Sequence, residues 1–210
     1  MLAHLLTKIY RWRLALAAGL TALLLALLWI SPAESTLGQT VKLVYLHGAL
    51  VRTAIVLLVL SLPVNLVGLI SGRAGWLAWG RALAMAALFI WLGHTLVSMI
   101  TTYATWGVFI AWFEPRTRFT FNLAFVAVLV LAVDWLMNNR RFSALAFGGL
   151  AAAALALLPS LGFVQHPLDP IGQSTSGSIH LFYTAILVVS LGLGGLLALW
   201  LGQPDSTEAQ

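Results

Sequence analysis

Six apolar runs, each close to or above the twenty residues that a helix needs to cross a hydrocarbon layer, decide what this chain can fold into. They fall at about 12–31, 43–70, 77–101, 119–137, 142–163 and 178–201 and leave no stretch long enough for a soluble domain. Only 8% of the 210 residues are charged, against roughly a quarter in a soluble globular chain. So few charges cannot cover a water-facing surface, and the solvent must be lipid. The expected fold is an all-α integral membrane protein, a bundle of about six transmembrane helices. It forms one domain over 1–203 with a disordered tail over 204–210.

A net charge of +5 would suggest nucleic acid in a polar chain, but here the basic residues stand at helix ends. That placement fits membrane orientation instead, and no nucleic-acid partner is expected. Lys8, Arg11, Arg13, Arg73, Arg81, Arg140 and Arg141 fall on one face, and Lys42, Arg116 and Arg118 on the other. The first face is therefore cytoplasmic, with both termini inside and external loops at about 32–42, 102–118 and 164–177. The first run follows a basic start but lacks an Ala-x-Ala exit, so it reads as a retained helix. There is no cysteine, which excludes a disulfide framework, a thiolate metal site and covalent heme attachment through a CxxCH motif.

In this topology four of the five histidines share the external half of the membrane, and only His4 lies on the other side. Counted from the expected helix ends, His47 is about 6 Å deep and His94 about 10 Å deep. His180 opens the sixth helix and His166 just follows the fifth. An imidazole inside lipid is costly to keep and is a functional candidate by default, and a neutral imidazole nitrogen is a strong ligand for heme iron. A lone histidine can also simply bond a neighbouring helix. His47 and His166 are the leading metal-ligand candidates, with His94 and His180 behind them.

Between these histidines runs the loop Tyr103 to Arg118, where Trp106, Phe109, Ile110, Trp112 and Phe113 recur at roughly helical spacing. One reading is an interfacial aromatic belt helix. The other is an apolar platform for a porphyrin, with Trp106, Phe109 and Trp112 in contact with it. Heme carries two carboxylates, which Arg matches well. Arg116 and Arg118 end the platform, and Arg116 is a cofactor-binding candidate for a propionate. Arg52 stands about nine residues into the second helix, where a charge needs a partner or a path to water; it either snorkels to the interface or binds a propionate or a buried partner, and it is a cofactor-binding candidate too. Asp134 ends the fourth helix beside Arg140 and Arg141, an ordinary ion-paired anchor. The external acids, Glu34, Glu114 and Asp169, offer no carboxylate pair, and no catalytic triad spacing or phosphate loop is present. No catalytic residue is assigned, and enzyme activity is left open.

Tyr45-Leu46-His47 opening the second helix, Trp106-Gly107-x4-Trp112, and Gln165-His166 after the fifth together resemble the CcmC/CcsA-type heme-handling family of cytochrome c maturation. The likeness spans nearly the whole chain in helix count and loop placement. The family loop reads approximately WGxWWxWDxRLT. Here Trp106, Gly107 and Trp112 keep their spacing, Phe109 and Ile110 replace tryptophans, and the acid and Arg shift by one place to Glu114 and Arg116. The resemblance implies His47 and His166 as the axial ligands of heme b. The loop would cradle it at the external, periplasmic face of a bacterial inner membrane. It also implies partners among heme chaperone or apocytochrome c pathway proteins, within a multi-subunit membrane complex. The alternative is a b-type electron-transfer or structural subunit of a larger respiratory complex.

Overall fold

The computed structural model describes residues 2–161 and 170–202, with 2–10 as backbone only. His166 and the tail 204–210 lie outside the described residues. Six helices form, each long and apolar enough to cross a membrane, and the chain is an all-α, multi-pass membrane protein. The helices are α1 (Leu2–Ile30), α2 (Val41–Ser71), α3 (Ala74–Trp106), α4 (Pro115–Met137), α5 (Arg140–Leu157, continued by a 3-10 turn over Leu158–Leu161) and α6 (Gly177–Leu201).

The element ends follow from local chemistry. Asn139 caps α5 by accepting from the amides of Arg141 and Phe142. Glu114 caps α4, and Pro115 occupies its first turn, where no backbone donor is lost. Gly107 ends α3 at φ 73°, a left-handed conformation that costs glycine little. These caps trim the expected aromatic loop at both ends. Tyr103 and Trp106 belong to α3, and the turn proper is 107–114.

α2 is the central element. It packs against α3, α5 and α6, while α1 rests chiefly on α6 and α4 lies against α3 and α5. Small residues set the close crossings, as expected where lipid gives helices no hydrophobic reason to associate. A Cβ on Gly80 would stand 2.7 Å from Asn65 Cγ and 3.1 Å from Asn65 Cα, so α2 and α3 nearly touch there. Asn65 Nδ2 donates to the Gly80 carbonyl at 3.3 Å. Gly194 of α6 likewise leaves room for Thr53, Ile90 and Leu57.

One end of the bundle is basic. There Asp134, almost fully buried, accepts from Arg81 Nε at 3.0 Å and Nη2 at 2.6 Å, and from the Ser143 hydroxyl. The anchor therefore joins α3, α4 and α5. This corrects the expected pairing with Arg140 or Arg141, because side chains reach across helices more readily than round a tight turn. The opposite end carries the turns 31–40 and 107–114. In the first, Glu34 accepts from the Ser35 hydroxyl and the Thr36 and Leu37 amides. The Ser35 bond, then the Leu37 amide, hold its carboxyl below the ordinary value of 4.5.

Candidate functional site

His47 stands six residues inside the described start of α2, about 9 Å along the helix. His94 stands twelve residues before the end of α3, about 18 Å at the same rise. It therefore stands further from the helix end than the sequence implied, because α3 runs on to Trp106. The two rings meet, with centroids 4.4 Å apart and planes inclined at 40°. His94 also meets the Trp91 indole edge at 5.4 Å. Trp91 donates its Nε1–H to the Thr120 carbonyl at 3.1 Å and packs on Phe119 at 5.9 Å. A continuous run of rings thus crosses from α2 through α3 to α4.

The two histidines are not equivalent. His94 is 2% exposed, and its Nδ1 has no hydrogen-bond partner among the described residues. His47 is only half buried. A metal–imidazole bond is about 2 Å long, so two rings on opposite sides of one metal stand roughly 6 Å apart, centre to centre. At 4.4 Å these rings leave no room for a metal between them. As placed, they cannot both be axial ligands of one heme; one can ligate outward while the other packs behind it. His180 is exposed at the start of α6, and its Nε2 bonds the Ser174 carbonyl at 2.7 Å. His94 finds its ring contacts with His47 and Trp91, so the structure does not bring the His94–His180 pair together through any contact. Among the described residues no group of three or more potential metal ligands occurs.

The aromatic turn is not a belt helix. It reverses over the ends of α3 and α4, and the rings pair across the reversal. Tyr103 stacks on Phe109 at 4.4 Å and 11°, Trp106 meets Phe113 at 5.6 Å, and Trp112 meets Phe121 at 5.3 Å. Phe109, Trp112 and Phe113 each remain more than half exposed. Ala111 and Glu114 are buried beneath them, and the Glu114 carboxylate holds the Arg116 amide. The Arg116 side chain is exposed and finds no partner among the described residues. An apolar groove of about 450 Å³ opens between α3 and α4, lined by Leu92, Leu96, Met99, Phe121 and Phe125. It holds no histidine and almost no polar surface, so it suits an acyl chain better than a charged ligand.

Arg52 falls on another side of α2. Five residues past His47, it is turned by roughly 140° round the helix. Its guanidinium lies over the Tyr183 ring of α6 at 4.9 Å. Trp91 is the site residue that sequence reading missed. Its three-residue spacing from His94 was the available signal, since that spacing puts both on one face. No protein-family model matches the chain, and no curated protein is similar to it.

Proposed function

We propose that this protein binds heme b as cargo at the aromatic end of the bundle and hands it on in cytochrome c biogenesis. The observation that carries the proposal is the contact between half-buried His47 and buried His94. Two imidazoles packed ring to ring between membrane helices, one of them almost fully buried, call for a function. Their unequal burial gives them different roles. His47 is the axial ligand. His94, backed by Trp91, positions the His47 ring. The second axial ligand is His166, as the family resemblance implies.

The exposed faces of Trp112, Phe109 and Phe113 supply apolar area for a porphyrin face, and half-buried Trp106 supports them. The exposed Arg116 guanidinium supplies a donor for a propionate. In this reading both termini are cytoplasmic and the site faces the external side of a bacterial inner membrane; the distribution of Lys and Arg supports that orientation. Heme held at such a surface can pass to a chaperone or an apocytochrome. No group of this chain has to make or break a bond for that.

The test is a heme titration of detergent-purified protein followed by its visible spectrum. The wild type is expected to take up one heme and give a low-spin spectrum. His47→Ala is expected to lose affinity or turn high-spin. A wild-type spectrum in His47→Ala, or no uptake by the wild type, would overturn the proposal.

A further inference from the structure

α2 is the central helix, yet one stripe of it is bare. Arg52, Val56, Val59, Pro63, Leu66 and Ile70 are all exposed. They follow one another at alternating spacings of four and three residues. That is the heptad spacing with which one helix seats another in a left-handed crossing. The stripe is open because α1 packs on α6 and touches α2 only slightly.

Arg52 makes this stripe more than a lipid-facing surface. α2 has 31 residues, about 46 Å, against a hydrocarbon layer of about 30 Å. With the helix centred, Arg52 lies about 8 Å below the layer boundary. A guanidinium has five N–H donors and no acceptor. Here it is exposed, lies over the Tyr183 ring, and has no ion pair or hydrogen bond among the described residues. A cation at that depth is expensive unless it is paired.

We propose that this stripe is the docking surface for a transmembrane helix of another protein, one that carries an Asp or Glu level with Arg52. Charge complementarity decides the kind of partner. Among the described residues, a second copy of this chain does not supply the carboxylate. Glu34 and Glu114 belong to the turns of one end, and Asp169, Asp205 and Glu208 lie outside the described residues. Asp134 stands at the basic end, committed to Arg81. Tyr183 of α6 holds the guanidinium at the α6 edge of the stripe, where a helix seated on the stripe can reach it. Val56 and Val59, one and two turns further on, give that helix an apolar seat.

The test uses the full chain in lipid bilayers and synthetic transmembrane peptides of one leucine-rich host sequence. One peptide carries a single Glu at the depth of Arg52, and the other has Leu there. Binding is read by energy transfer between labelled peptide and labelled protein. The Glu peptide is expected to bind about tenfold more tightly than the Leu peptide, as one interhelical polar contact in a membrane allows. Arg52→Leu should abolish that preference, and Arg52→Lys should keep part of it. Equal binding of the two peptides to the wild type would overturn the proposal and leave Arg52 as a lipid-phosphate anchor. So would a preference that survives in Arg52→Leu. Heme titration of Arg52→Leu separates this site from the heme site. Unchanged heme affinity is expected, and a loss comparable to that of His47→Ala would assign Arg52 to a propionate and overturn the docking role.

Discussion

The Arg81–Asp134 pair gives the most quantitative test of how the basic end is held. Asp134 has a side chain 1% exposed, and Arg81 one 36% exposed. Both Arg81 nitrogens donate to the same carboxylate oxygen, Oδ2, while the Ser143 hydroxyl donates to Oδ1. Replacing Arg81 by Leu leaves a carboxylate buried between three helices with one neutral donor. Removing one partner of a fully buried pair costs about 3–5 kcal/mol. Because Arg81 is partly solvated, we discount this to about 2–3 kcal/mol for Arg81→Leu. Replacing both residues by Leu removes the uncompensated charge as well, and such exchanges cost little or nothing. Ser143 keeps an acceptor in that variant, the Asn139 carbonyl at 3.0 Å. The double variant is therefore expected within about 1 kcal/mol of wild type, giving a coupling of about 2 kcal/mol or more. The assay is reversible unfolding in mixed bilayer–detergent micelles, followed by circular dichroism for wild type, both single variants and the double. Additive losses in the double variant would refute the reasoning, because they would mean that the carboxylate is solvated and not held by Arg81.

Gly80→Ala should destabilise the bundle by about 1–3 kcal/mol, because the new methyl meets Asn65 at 2.7 Å from Cγ and 3.1 Å from the backbone Cα. Adding Asn65→Ala should recover part of the loss, and thermal melts of the two variants check it. Glu34 sets a pH dependence in the 31–40 turn. Its folded pKa lies below its unfolded value of 4.5, so its contribution is present above pH 4.5 and is lost as the pH falls through the folded value. Hydrogen exchange at the Thr36 and Leu37 amides should therefore speed up on acidification in the wild type. In Glu34→Gln it should be insensitive to pH across that range once corrected for intrinsic exchange.

The helices were legible because lipid imposes one rule on every segment. A run of twenty apolar residues must close its own hydrogen bonds, so hydropathy alone located all six to within a few residues at most ends. The larger differences trace to single residues. The spacing of Trp106, Phe109, Trp112 and Phe113 imitates a helix, but Gly107 at φ 73° ends α3 and no new helix begins until Pro115. The rings then pair across a reversal that periodicity cannot represent. α3 continues to Trp106, so His94 stands further from the helix end, and its ring meets that of His47. Which helices become neighbours is not written in any one segment. The sequence could place both histidines toward one face but could not show that they touch, nor that Arg81 reaches Asp134. The separation of Arg52 from His47 was available from helical geometry, since five residues turn a side chain well round the axis.

The most direct measurement is heme content and spin state of purified wild type, His47→Ala and His94→Ala, compared at equal protein concentration. The account predicts one heme b per wild-type chain, a large loss or a high-spin spectrum in His47→Ala, and retained heme with a perturbed spectrum in His94→Ala. A heme-free wild type, or a His47→Ala variant that keeps the wild-type spectrum while His94→Ala loses it, would contradict the account.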